Sequence, residues 1–136
     1  MKNILPLISP HALPIALPTT DNMRLRPVLV YIHQHIAEDL TLALLGKRFG
    51  FSERTLSRFF KTLLNMPFFQ YLKLTRIIKA TEYLIKNDLS VSEVAYRVGY
   101  NSISAFSNTF HNMMGQRPTD FQQLNSVASE EAPREQ

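Results

Sequence analysis

Arg54, Ser57, Arg58 and Lys61 recur at i, i+3, i+4 and i+7 among apolar residues that themselves repeat at helical spacing. On a helix this puts the four in one stripe, opposite Leu56, Phe59, Phe60 and Leu63. Such a stripe has the chemistry to hold a polyanion and read its edges. The fork of Arg54 or Arg58 matches paired acceptors such as guanine O6 and N7. Ser57 is a short donor and acceptor, and Lys61, a turn further on, reaches phosphate. A second stripe, Ile103, Ser104, Ser107, Asn108 and His111, lies opposite Phe106, Phe110 and Met113 and is almost uncharged. There the Asn108 amide could read adenine and Ile103 could touch a thymine methyl. A plain solvated face explains the second stripe nearly as well, and the first also admits that reading.

Other chemistries lack their residues. The 136-residue chain has no Cys, which removes disulfides, thiolate metal sites and thiol nucleophiles. There is no His-Glu metal pattern and no Gly-rich phosphate loop, and His33 and His35, two apart, point to different sides of a helix. We therefore expect no catalytic residue, no metal and no cofactor. Charge is uneven: Arg24 to Leu124 carries 13 Lys and Arg against 7 Asp and Glu, while the last twelve residues hold three Glu and one Arg. A basic folded part suggests a polyanionic partner.

The two stripes sit in two copies of one unit. Leu40-Thr-Leu-Ala-Leu-Leu-Gly-Lys-Arg-Phe-Gly-Phe51 aligns with Leu89-Ser-Val-Ser-Glu-Val-Ala-Tyr-Arg-Val-Gly-Tyr100 at a constant offset of 49 residues. After a one-residue insertion, Leu56 to Lys61 aligns with Phe106 to His111. In each copy a hydroxyl residue, Thr41 or Ser90, caps a short helix, and Ser90 with Glu93 makes a capping box. Leu42 and Leu45, or Val91 and Val94, face inward. Gly46 or Ala95 marks a place where another helix comes close. Gly50 or Gly99 ends the helix in a left-handed conformation, Phe51 or Tyr100 plugs the corner, and Ser52, or Asn101 or Ser102, caps the next helix. Helix, glycine turn and helix at this length form a helix-turn-helix unit.

Between the copies, Pro67 to Lys86 reads as one unbroken helix opened by Pro67, about 28 Å long at 1.5 Å per residue. Its apolar face changes sides. Phe68, Tyr71, Leu72, Thr75 and Ile78 share one side, whereas Leu74, Ile77, Thr81, Leu84 and Ile85 cluster nearly opposite. This is the pattern of a strut serving two small cores, with Lys73 and Arg76 left exposed between the stripes. Leu25 to Ala37 reads as a first helix. Residues 1–23, with Pro6, Pro10, Pro14 and Pro18, read as an extended linker with little regular structure that can form neither a helix nor a membrane span. Residues 125–136 read as a disordered, acidic tail.

Leu56-Ser57-Arg58-Phe59-Phe60-Lys61, Tyr71-Leu72, Arg76-Ile77-Ile78-Lys79-Ala80, Gly99-Tyr100, Phe106, Phe110, Gly115 and Pro118 together resemble the DNA-binding domain of AraC/XylS-type transcription regulators. The likeness runs from about Leu25 to Gln123. It implies an all-α fold of seven helices, with a module at 24–124. Helix-turn-helix units at 41–64 and 90–114 are bridged by a linker helix at 67–86 and meet successive major-groove segments of duplex DNA. By position, the resemblance makes Arg54, Ser57, Arg58, Ser104, Ser107 and Asn108 base-facing, with Lys61, Arg76 and His111 on the DNA backbone. It implies RNA polymerase as a further partner and a cytoplasmic, nucleoid-associated setting. Four features depart from the family: Asn65 replaces Gly, Pro67-Phe68 replaces Ser-Pro, Ala105 lacks an aromatic ring and His111 replaces Lys. The last two weaken the second unit. The leader is similar to a connector that in some members follows a cupin-like effector domain, so the chain reads either as a stand-alone regulator or as a fragment of a longer one. The alternative is a helical protein-interaction module or a non-DNA-binding fragment.

Overall fold

The computed structural model describes residues 3–5, 15–86 and 88–131. Among them are seven helices: α1 (Arg26–Gln34), α2 (Leu42–Phe49), α3 (Glu53–Leu64), α4 (Phe68–Lys86), α5 (Val91–Arg97), α6 (Ile103–Met114) and α7 (Pro118–Glu131). The fold is all-α, as expected, apart from a small hairpin at its start.

Local chemistry sets the helix ends. The side chains of Thr41, Ser52, Ser90 and Ser102 each accept the backbone N–H three residues on, satisfying a donor that the first turn leaves open. Of the two residues able to cap α6, Ser102 does so. The Ser90 box closes in both directions, with the Ser90 N–H donating to Glu93 Oε1 at 2.8 Å. This bond to the charged form holds the Glu93 carboxyl below its ordinary pKa. Gly50 and Gly115 end α2 and α6 in the left-handed region, and Asn65 does the same for α3 at φ 60°. The substitution of Asn for Gly at 65 thus keeps the turn.

Both units close their turn with the same hydrogen bond, Phe51 N–H to Gly46 O in the first and Tyr100 N–H to Ala95 O in the second. This explains Gly46 differently from the sequence reading. A Cβ there would lie 2.5 Å from the Phe51 carbonyl oxygen, so what crowds Gly46 is the chain's own turn and not another helix, although the second unit makes the same bond with Ala95 in that place.

The α4 helix joins two separate cores. Leu45, Leu56, Phe60 and Leu64 pack with Phe68, Tyr71, Leu72, Leu74 and Ile78 of α4 and with Val28, Leu29 and Ile32 of α1. Val94, Ala95, Val98, Phe106, Phe110, Met114 and Phe121 pack with Ile77, Ala80 and Leu84. The face does change sides, with one correction. Leu74 belongs to the first core because it stands in the first half of α4, along the stretch that the first subdomain covers, although its wheel angle groups it with Thr81 and Ile85. Thr75 and Thr81, one in each stripe, are buried, with their hydroxyls donating to the carbonyls of Tyr71 and Ile78.

Three boundaries also differ. The first helix starts at Arg26, not Leu25, because Asn22 Oδ1 takes the N–H groups of Arg24 and Leu25 in the preceding turn. It ends at Gln34, with Ile36 buried beyond it. The leader is not wholly irregular: β1 (Asn3–Leu5) pairs antiparallel with β2 (Leu17–Thr19), Leu17 and Pro18 are buried, and Ile15 packs against both cores. Extended segments with apolar residues between prolines can pair at a sheet edge and still bury side chains. The last helix continues to Glu131, seven residues into the expected tail; 132–136 lie outside the described residues, as do 1–2 and 6–14.

Candidate nucleic-acid interface

The α3 helix buries Leu56, Phe60 and Leu64 and turns its charged side outward. Arg54, Arg58 and Lys61 are exposed and Ser57 is half-buried; together with Thr62 they line one open depression. The structure thus brings together the four residues of the first stripe. Among the described residues the ion pair formed is Lys79–Glu82 at 3.5 Å, on α4, so no carboxylate neutralises this stripe. Residues 41–65 carry Lys47, Arg48, Arg54, Arg58 and Lys61 against Glu53, a net of +4.

Helix α6 is built alike but charged differently. It buries Phe106, Phe110 and Met114 and exposes Ser104, Asn108 and His111, with Ser107 half-buried and Ile103 42% exposed. Residues 90–115 carry Arg97 against Glu93, a net of zero. Both α3 and α6 contact α4.

Several cations are engaged within the fold. The Arg24 guanidinium lies 5.0 Å from the Phe51 ring centroid and 5.3 Å from that of Phe59, at the corner of the first unit. Arg48 stacks over Tyr31 at 4.6 Å, and Arg97 lies 5.7 Å from the Tyr83 ring. These contacts fix long side chains on aromatic faces while leaving their charge in place.

Arg76 departs most from its expected setting. Both Lys73 and Arg76 are half-buried, not exposed. Arg76 Nε donates to the Ile36 carbonyl at 3.2 Å and Nη2 to the Glu38 carbonyl at 2.8 Å, and burial lowers the guanidinium pKa. A side chain committed in this way is poorly placed to serve as the DNA-backbone contact that the resemblance implied. Its partners lie 38 and 40 residues away in the chain, so no local pattern could have revealed them. A second polar contact, part-buried, joins α1 to α4, where His33 Nε2 and Tyr71 Oη are 2.9 Å apart. Burial holds His33 below its ordinary pKa, aided by the charge on Lys79, and pushes the Tyr71 phenol up. A neutral imidazole therefore meets a protonated phenol across this hydrogen bond.

The sequence matches the helix-turn-helix domain family over residues 45–124. It is 34% identical over 103 residues to an uncharacterized HTH-type transcriptional regulator, YdeC, of Bacillus subtilis, covering 76% of this chain and 35% of that protein. It is 31% identical over 105 residues to the HTH-type transcriptional activator RhaS of Salmonella schwarzengrund, covering 77% and 38%. The chain thus spans little more than a third of these relatives' length. The C-terminal domain of the response regulator AraT from Geobacillus stearothermophilus superposes with a TM-score of 0.71 at 33% identity, covering 76% of this chain and 86% of that one. The DNA-binding domain of AdpA, solved in complex with a target DNA, gives 0.69 at 30% identity, covering 82% and 96%. Two capped helix-turn-helix units on one strut, matched in sequence and in structure, place this chain in the AraC-type family of helix-turn-helix transcription regulators.

Proposed function

We propose that residues 24–124 form a module that binds double-stranded DNA sequence-specifically as the reading part of a transcription regulator. In this reading α3 and α6 enter successive major-groove segments. The observation that carries it is the uncompensated stripe Arg54, Ser57, Arg58 and Lys61 on a helix whose other side is locked into a core. Arg54, Ser57 and Arg58 read base edges in the first segment while Lys61 holds phosphate. Ser104, Ser107 and Asn108 read the second, with His111 toward the backbone. Because phosphate neutralisation supplies much of DNA affinity, the +4 first unit anchors the complex and the neutral second unit adds preference.

The module acts on the cytoplasmic nucleoid together with RNA polymerase, and a signal-sensing domain, where there is one, lies outside 24–124. Among the described residues no helix is long and apolar enough to cross a membrane. Selection of bound duplexes from a random pool, followed by footprinting of the winner, tests the reading. We expect protection of two adjacent major-groove segments about one duplex turn, ~34 Å, apart. A footprint of a few base pairs would mean that one unit docks alone. Absence of any selected sequence would overturn the proposal.

A further inference from the structure

The position of Arg76 has a consequence for how the two units cooperate. Its guanidinium is held from the first subdomain by the carbonyls of Ile36 and Glu38, where the chain leaves α1 for α2. On its other side stands the turn of the second unit. Gly99 adopts φ +101°, and a Cβ added there would lie 2.7 Å from Ile36 O, 2.8 Å from Arg76 Cζ and 2.8 Å from Nε. The equivalent glycine of the first unit, Gly50, has nothing within 4 Å of the same hypothetical atom. One planar cation is thus clamped between a carbonyl pair of one subdomain and the bare backbone of the other's turn. Apolar packing resists separation of two surfaces but is non-directional. A fork with two fixed acceptors is directional.

From this we infer that Arg76 is a positioning residue that locks the mutual orientation of the two helix-turn-helix units, so that both can dock on one duplex at a single spacing. The inference rests on the DNA-binding reading for its consequence but not for its geometry. Two modules tied at the right separation gain about 10²–10⁴ in affinity over either alone, and lose the gain when geometry forbids simultaneous engagement. In this chain the lock is what preserves that gain.

The absence of cysteine allows a test without DNA. Spin labels on Ala43→Cys and Asn112→Cys, both exposed and outside the reading stripes, report the distance between units. In the parent we expect one narrow distance distribution. Arg76→Met and Arg76→Lys, the latter keeping charge and stem but not the fork, should both broaden or shift it while circular dichroism stays unchanged. Should the Met variant fail to fold, the Lys variant carries the test. An unchanged distribution in a folded variant overturns the lock.

On DNA, Arg76→Lys should bind a duplex carrying only the first unit's half-site within about twofold of the parent, yet lose most of the two-segment gain. It should also tolerate a one-base-pair change in spacing that the parent rejects. Weaker half-site binding for Arg76→Met, with the salt slope reduced by about one phosphate, would instead make Arg76 a direct backbone contact and overturn the proposal. If the parent binds no duplex, the functional reading fails while the distance measurement still decides the lock.

Discussion

The two helix-turn-helix units share a plan and differ in what they expose. Each has a hydroxyl-capped first helix, a turn closed by the same backbone bond and a second helix anchored by three buried apolar residues. The first unit carries a net of +4 over residues 41–65 and the second is neutral over 90–115. Duplication thus preserved what the backbone and core require and left the surface free to diverge. Even the turn glycines have parted: Gly50 is required by its φ alone, Gly99 by its φ and by the guanidinium against it.

The largest expected effects probe the shared plan. Phe60 and Phe110 are fully buried and correspond in the two copies, so Phe60→Ala and Phe110→Ala should each cost about 3–5 kcal/mol in chemical denaturation. Losses of very different size would show that the two cores are not energetic equals. Next come the turns. Gly50→Ala should cost about 1–2 kcal/mol, the penalty of a left-handed residue bearing a Cβ. Gly99→Ala should cost clearly more, because the new atom also meets Ile36 O and Arg76. Equal melting temperatures for the two variants would remove that asymmetry.

Surface divergence predicts a difference at the level of binding. Arg58→Ala should weaken the selected duplex by about 1–3 kcal/mol and relax base choice beneath it. Asn108→Ala should cost less. Equal losses in titrations at one salt concentration would refute the ranking of the units. The smallest effect concerns the α1–α4 contact of the first subdomain. His33 has a folded pKa below its unfolded value of about 6.5, so the unfolded chain binds the extra proton first. Stability is then fully present above that value and falls as pH drops through the folded pKa. His33→Gln should flatten this acid-side slope in melts between pH 7.5 and 5. A slope that persists would assign it to other groups.

Much of the fold was legible because its signals are local. Capping hydroxyls, turn glycines and 3.6-residue apolar spacing act within one or two turns, and the repeat compared them against themselves. The exposed basic stripe of α3 was legible for the same reason, since i, i+3, i+4 and i+7 neighbours need no tertiary information. The hairpin was not: β1 and β2 pair across residues 6–16, and nothing in a proline-spaced segment specifies that partner. Leu74 was misassigned because a wheel gives its angle but not which core lies beside it.

What the chain alone determined, then, is the helices of the two units and the strut between them, the hydroxyl caps, the outward faces of α3 and α6 and the basic first unit, all consequences of neighbours within a few residues. Tertiary structure alone decided that Arg76 turns inward to the Ile36 and Glu38 carbonyls, that Gly99 must stay bare beside it and that Ile15 lies against both cores. Those contacts join residues 23 to 40 positions apart or more, and only the folded chain brings a donor within reach of such acceptors.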